Sequence, residues 1–83
     1  MSVHDLLNEP VDVRVEFTGK RVHPTHVHWG KRTYEMKKVN LVHSTNEGEK
    51  RIYYFSVSDD SSFMKLRLDT GLLEWRIVEF YSE

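Results

Sequence analysis

The sequence predicts a small all-β domain, built as one antiparallel meander of about six strands. Three observations support this class. Apolar and polar residues alternate with a period of two over most of the chain, turns containing glycine or paired polar residues separate the alternating segments, and the chain has only 83 residues. A meander of this size is most stable as an SH3-like roll or half-open barrel, because curling protects the edges of the sheet.

The first half of the chain contains the clearest alternation. We expect 1–10 to be a flexible segment or a short helical turn, and 11–83 to form the single β domain. Residues 11–17 alternate strictly and predict a half-buried strand. A turn with a glycine leads into a second strand at 21–29. Pro24 lies inside this strand and lacks an amide hydrogen, which predicts an edge strand or a bulge.

The second half continues the meander. The third strand changes its apolar phase near Lys37 and Lys38, which predicts a β-bulge there. Residues 44–50 are polar and predict a loop. Residues 51–80 supply three further strands, and Val78 lies out of phase in the last of them, so this strand has a bulge or is covered on both faces.

Residues on the apolar phase of each strand are the expected core. They are Val13, Val15, Phe17, Val27, Trp29, Tyr34, Val39, Leu41, Phe55, Val57, Leu66, Leu68, Trp75 and Ile77.

Composition excludes several classes of protein. The chain has no cysteine, which removes disulfides, thiolate nucleophiles and zinc sites built on sulfur. No apolar run approaches the roughly 18–20 residues of a membrane span, and residues 1–10 lack the pattern of a signal peptide. The sequence therefore predicts a cytoplasmic protein with no membrane partner.

Positive charge is concentrated in one part of the chain. Residues 18–45 contain six basic side chains and one acidic side chain, a net +5, whereas the remaining residues have a net charge of −6. Such a strip attracts phosphates, and neighbouring aromatics could stack on bases. Trp29 and Tyr34 are either these aromatics or part of the core, and their apolar phase favours the core. The predicted nucleic-acid-binding residues are Lys20, Arg21, Lys31, Arg32, Lys37 and Lys38.

Histidines form the other conspicuous polar group. His26 and His28 share one strand face at positions i and i+2, and His43 on the next strand could complete a set of three nitrogens. No acidic residue has an obvious register with both strand histidines, and solvated or stacking histidines are favoured over a metal site. We expect no metal and no cofactor.

Catalytic patterns are missing from the sequence. The serines lie outside any glycine-rich elbow, and there is no phosphate-binding loop. So small a domain also has little room for a concave pocket. We therefore expect a protein that is not an enzyme and has no small-molecule substrate.

Four motifs carry a resemblance to a known family. A Trp-x-x-x-x-Tyr hairpin precedes two spaced apolar residues, an aromatic pair and an apolar pair follow, and a Thr-Gly ending leads to a tryptophan and a valine. One or two extra residues separate the glycine from the tryptophan in this chain. The residues are Trp29, Gly30, Lys31, Arg32, Thr33, Tyr34, Met36, Val39, Tyr54, Phe55, Leu66, Leu68, Thr70, Gly71, Trp75 and Val78.

With these residues the chain resembles an uncharacterised family of small bacterial all-β domains. Some members of that family occur beside or fused to Y-family (translesion) DNA polymerases. The resemblance covers 11–81 and implies an all-β fold and a role near DNA. The family pattern has more arginine in its second hairpin, where this chain has histidine.

Two functions follow as hypotheses. The first is a non-catalytic accessory module that binds nucleic acid through the basic second and third strands, with nucleic acid or a DNA-processing protein as partner. The second is a module for protein–protein interaction or homodimerisation, which would offer an edge strand and exposed aromatics. The chain is expected to be a monomer or a weak homodimer.

Overall fold

The computed structural model describes residues 3–82, so Met1, Ser2 and Glu83 lie outside the described residues. The described chain is all-β and has eight strands where the sequence predicted about six. None of its elements is a helix that could cross a membrane. In chain order the strands are β1 (Val3–Pro10), β2 (Asp12–Thr18), β3 (Arg21–Trp29), β4 (Arg32–Glu35), β5 (Lys38–Glu47), β6 (Lys50–Ser58), β7 (Ser62–Asp69) and β8 (Glu74–Ser82).

The strands form two antiparallel sheets that do not close into a barrel, so the predicted single meander is wrong. The larger sheet has five strands in the order β1-β8-β7-β6-β5, and the smaller has three in the order β2-β3-β4. The chain crosses between them at Val11 and again at Met36 and Lys37. The amide of Val11 donates to Trp75 of the larger sheet, that of Met36 to Thr25 of the smaller sheet, and that of Lys37 to Ser58 of the larger sheet.

The amino-terminal segment differs from the expectation. Instead of a flexible segment or a helical turn, it forms β1, which pairs with β8 from Val3 opposite Ser82 to Pro10 opposite Arg76. A helix of one or two turns is unstable without tertiary support. The free edge of β8 offers a row of backbone hydrogen bonds instead, and the segment adds to the sheet there. Met1 and Ser2, which belong to the same expected segment, lie outside the described residues.

Four strand pairings of the described residues have a register break, and three of these breaks concern bulges that the sequence predicted. The predicted bulge at Pro24 is confirmed: Thr25 is the extra residue of β3, although β3 is the central strand of its sheet. The predicted bulge at Val78 is also present in β8. At Lys37 the sequence predicted a bulge, but the chain changes sheets there, and the bulge falls at Asn40.

The predicted polar loop at residues 44–50 is wrong. β5 continues to Glu47, which pairs with Lys50, and the turn between them consists of Gly48 and Glu49. Gly48 has a φ of 64°, a conformation that suits glycine at the first central position of a tight hairpin. The polar residues of this segment therefore lie on an exposed strand.

The core lies between the two sheets and matches most of the expected positions. Phe55, Val57, Leu66 and Ile77 are buried as expected. Phe17 is 73% exposed and Leu41 is 56% exposed, so these two predictions are wrong. Core residues that the prediction missed are Val11, Met36, Ile52 and Met64.

The structure explains why each of these two core predictions is wrong. The Asn40 bulge reverses the phase of β5, so Val39 and Val42, opposite Val57 and Phe55, share the core face and Leu41 does not. Phe17 lies next to the last residue of β2, at the tip of the β2–β3 hairpin, and is exposed there.

Candidate nucleic-acid interface

A cleft opens between the first half of β3 and the first half of β5. Its volume is about 830 Å³. Side chains of β6 and β7 form an apolar floor, with Tyr53, Phe55 and Leu68 contributing. Tyr53 and Leu68 are cross-strand neighbours and share one sheet face. So small a domain was expected to have little room for a concave pocket, and the incomplete closure of the two sheets explains why one exists.

Four cationic residues line this cleft. Lys20 and Arg21 come from the β2–β3 hairpin, whose turn begins at Gly19 with a φ of 62°. Lys37 and Lys38 come from the crossing between the sheets on the opposite wall. All four residues are exposed. The structure therefore brings together two pairs of the predicted basic residues that are far apart in sequence.

One of these four cations is paired. The Lys37 ammonium donates a hydrogen bond of 2.8 Å to the Asp60 carboxylate. This hydrogen bond, with the charge of Asp60, raises the pKa of Lys37 above its ordinary value. Among residues 6–82, whose side chains the structure describes, no carboxylate forms an ion pair with Lys20, Arg21 or Lys38. Three full positive charges are therefore available on the rim.

The other two predicted basic residues lie elsewhere. Lys31 and Arg32 belong to the β3–β4 turn, at the opposite end of β3 from Arg21. From Arg21 to Trp29 the strand extends for about 26 Å, at about 3.3 Å per residue. The Arg32 guanidinium lies 5.0 Å from the ring centroid of Tyr34, outside the cleft. The six predicted residues thus separate into a group of four and a distant pair.

The aromatics that the sequence placed beside the basic strip are packed. Tyr34 is only 8% exposed. The Trp29 ring lies 5.1 Å from that of Phe80, and its indole nitrogen donates to the Glu9 carboxylate at 2.7 Å. The sequence left open whether Trp29 and Tyr34 stack on bases or pack in the core. The structure supports packing for both residues.

Tyr53 is the more exposed of the two aromatic residues in the cleft, beside buried Phe55, and it was not among the residues selected from the sequence. It is half-buried, and its ring centroid lies 6.5 Å from that of Phe55. Its neighbour on β5 is Ser44, a side chain too small to cover the ring. A signal was present in the sequence, since Tyr53 shares the strand phase of Phe55 while the segment around Ser44 is polar.

The candidate metal ligands do not converge. His26 contacts Thr25 at 3.0 Å and lies 3.7 Å from Glu35, while His28 contacts Thr33 at 2.7 Å. His43 is in the other sheet and stacks on Tyr54, with 5.0 Å between ring centroids. Among residues 6–82, whose side chains the structure describes, no three histidine or carboxylate side chains are grouped in a way that could hold a metal ion.

The fold and the cleft define a small all-β domain with two sheets and a basic, partly aromatic cleft. Comparisons with protein-family models, with curated proteins and with solved structures found no match to this chain.

Proposed function

We propose that this domain binds single-stranded nucleic acid in the cleft between β3 and β5. The observation that carries the proposal is the arrangement of the cleft, in which four cationic residues surround an apolar floor containing Tyr53. Proteins that bind single strands without sequence preference combine a basic groove with aromatic stacking platforms. Lys20, Arg21, Lys37 and Lys38 would contact phosphates, and Tyr53 would stack on a base.

The arrangement favours a weak and sequence-tolerant interaction. Phosphate contacts give affinity without reading the bases, and an aromatic ring stacks on any of the four. Three to four phosphate contacts predict a slope of log affinity against log salt of about −2 to −3, at about −0.7 per contact for single strands. The proposed role is that of an accessory module without catalytic activity.

The family resemblance supports a DNA-related setting. It would place the domain in the cytoplasm of a bacterium, next to a translesion polymerase or a similar DNA-processing protein. The small size of the domain favours classifying the fold with the SH3-like rolls, because curling protects the edges of a small sheet.

Two hairpins of this chain provide a matched test. Gly19-Lys20-Arg21 and Gly30-Lys31-Arg32 have the same three residues at turns on opposite ends of β3. Changing lysine and arginine to glutamate alters the net charge equally in both. We expect K20E/R21E to abolish the anisotropy change of a labelled DNA strand of about 12 nucleotides at low salt. K31E/R32E should retain most of it.

Other outcomes would contradict the proposal. Equal losses in both variants would mean that net charge, and not the cleft, causes binding. No anisotropy change with the unaltered protein at low salt would remove the nucleic-acid function. Thermal melts of both variants check that each remains folded.

Tyr53 provides a second, independent test. Tyr53→Ala should weaken binding about 5- to 150-fold, because stacking contributes about 1–3 kcal/mol per base. Tyr53→Phe keeps the ring and should bind as the native protein does. If both variants bind alike, Tyr53 does not stack on a base.

The second hypothesis, an interaction module, is favoured by a different observation. Tyr54, Phe63 and Phe80 are all partly buried and do not form an exposed aromatic surface. Leu41 and Val42, in contrast, are exposed on edge strand β5. This observation supports an interaction through the strand edge.

A further inference from the structure

Four strand edges of the described chain are free, and three of them are protected against pairing with another chain. β1 has a register break and ends at Pro10. β2 alternates the charged residues Asp12, Arg14 and Glu16 along its length. β4 has only four residues. Charges, proline, bulges and short length are the usual means by which proteins prevent edge-to-edge association.

β5 lacks this protection over most of its length. It has ten residues, and 39–46 contain no proline and no aspartate, glutamate, lysine or arginine. From Leu41 to Glu47 its pairing with β6 is regular. Leu41 is 56% exposed and Val42 is 46% exposed. A long, regular and uncharged edge with exposed apolar side chains is suited to adding another strand.

We propose that this edge pairs with β5 of a second copy of the chain, in antiparallel orientation. The charges at the two ends of the strand argue for this partner. β5 begins at Lys38, directly after Lys37, and ends at Glu47, with Glu49 in the following turn. An antiparallel copy brings each basic start next to an acidic end, twice in every dimer.

The register follows from symmetry and from the bulge. In an antiparallel pair, the backbone N–H and C=O groups of two opposed residues either both point towards the other strand or both point away from it. Neighbouring residues of one strand point in opposite directions, so in a symmetric pair a residue cannot oppose its own neighbour. The twofold axis therefore passes through one residue of the regular segment, which lies opposite itself. With the axis at His43, Leu41 lies opposite Thr45 of the second copy. The extra residue Asn40 shifts the pairing by one, which places Lys38 opposite Glu47.

The two neighbouring registers are less suitable. With the axis at Ser44, Lys38 lies opposite Glu49, which belongs to the turn after β5 and offers no strand backbone for pairing. With the axis at Val42, the same bulge places Lys38 opposite Thr45, and Glu47 then faces no cation of β5. Glu47 already accepts a hydrogen bond of 3.0 Å from Arg67 in its own chain, and its second carboxylate oxygen remains for Lys38 of the second copy. Backbone pairing would supply the affinity, and the two ion pairs would select the register.

A charge-swap experiment tests this pairing in the absence of nucleic acid. Sedimentation equilibrium of the native protein should show a mass that rises towards twice the monomer mass between micromolar and millimolar concentrations. In a dimer of the Lys38→Glu variant, the new glutamate faces Glu47 of the second copy. In a dimer of the Glu47→Lys variant, the new lysine faces Lys38. Because like charges oppose each other in both cases, each variant alone should dimerise at least tenfold more weakly. An equimolar mixture of the two restores both ion pairs in a heterodimer and should recover near-native association.

Lys31→Glu is the matched control, since it makes the same charge change in the other sheet and should dimerise as the native protein does. Thermal melts verify that all variants are folded, because Glu47→Lys also removes the contact with Arg67. A native protein that remains monomeric at millimolar concentration would overturn the proposal. A mixture that associates no better than its two components would overturn it as well.

Discussion

Replacing Leu66 with alanine tests the position of the core. Leu66 is fully buried in the middle of β7, between Phe55 on β6 and Ile77 on β8. The substitution removes three carbons, which costs about 2.4 kcal/mol at about 0.8 kcal/mol for each. The remaining cavity adds up to about 2 kcal/mol. A domain of this size has a free energy of unfolding of about 4–12 kcal/mol, so the loss is a large share of it.

Phe17→Ala is the informative comparison, because the sequence placed this larger side chain in the core and the structure exposes it. We expect it to change the free energy of unfolding by no more than about 0.5 kcal/mol. Urea unfolding followed by tryptophan fluorescence measures both variants. If Leu66→Ala leaves too little folded protein, Leu66→Val should cost about 1 kcal/mol. A Phe17→Ala loss as large as that of Leu66→Ala would refute the described core.

Three further predictions concern the turn after β7 and the histidines. The Lys50 ammonium and the amides of residues 72 and 71 hold the pKa of buried Asp69 below its ordinary value. This interaction stabilises the fold fully above the unfolded-state pKa of about 3.9 and is lost as pH falls through the lower folded-state pKa. The difference in urea midpoint between the native protein and Asp69→Asn should therefore be constant near neutral pH and shrink in acid, and a constant difference down to pH ~2 would contradict this. Leu73 is exposed and has a φ of 54°, so Leu73→Gly should raise the free energy of unfolding by up to about 1 kcal/mol, whereas Leu72→Gly should not. Zinc or nickel should bind no more tightly than the micromolar range, and calorimetry showing nanomolar binding that is lost in a His26→Gln variant would contradict this.

The alternation of residues predicted the fold class and much of the core, because burial on one face of a sheet acts on every second residue. The turns at Gly19 and Gly30 could be predicted because glycine adopts positive φ without a steric penalty. Both glycines have a positive φ. The bulge at Pro24 could be predicted because proline lacks an amide hydrogen. The bulge at Val78 could be predicted because Val78 lies out of phase with the apolar residues before it.

The errors concern contacts between distant parts of the chain. β1 exists because β8 offers it an edge, and nothing within residues 3–10 indicates that edge. The change of sheet at Met36 and Lys37 left a phase shift in the sequence, which a bulge explains equally well. The cleft also results from contacts between distant parts of the chain. The positive charge of its four basic residues is evident from the sequence, but only the crossing of the chain between the sheets brings Lys37 and Lys38 to the cleft that Lys20 and Arg21 line.

The two proposals share strand β5 and can nevertheless be separated by single residues. Arg21 lines the cleft and lies in the smaller sheet, so its loss should weaken nucleic-acid binding and leave dimerisation unchanged. Glu47 lies at the far end of β5, outside the cleft, so Glu47→Lys should weaken dimerisation and leave the phosphate contacts in place. Lys38 belongs to both surfaces, because it lines the cleft and begins the free edge. Lys38→Glu should therefore weaken both interactions, and a loss confined to one of them would remove Lys38 from the other surface.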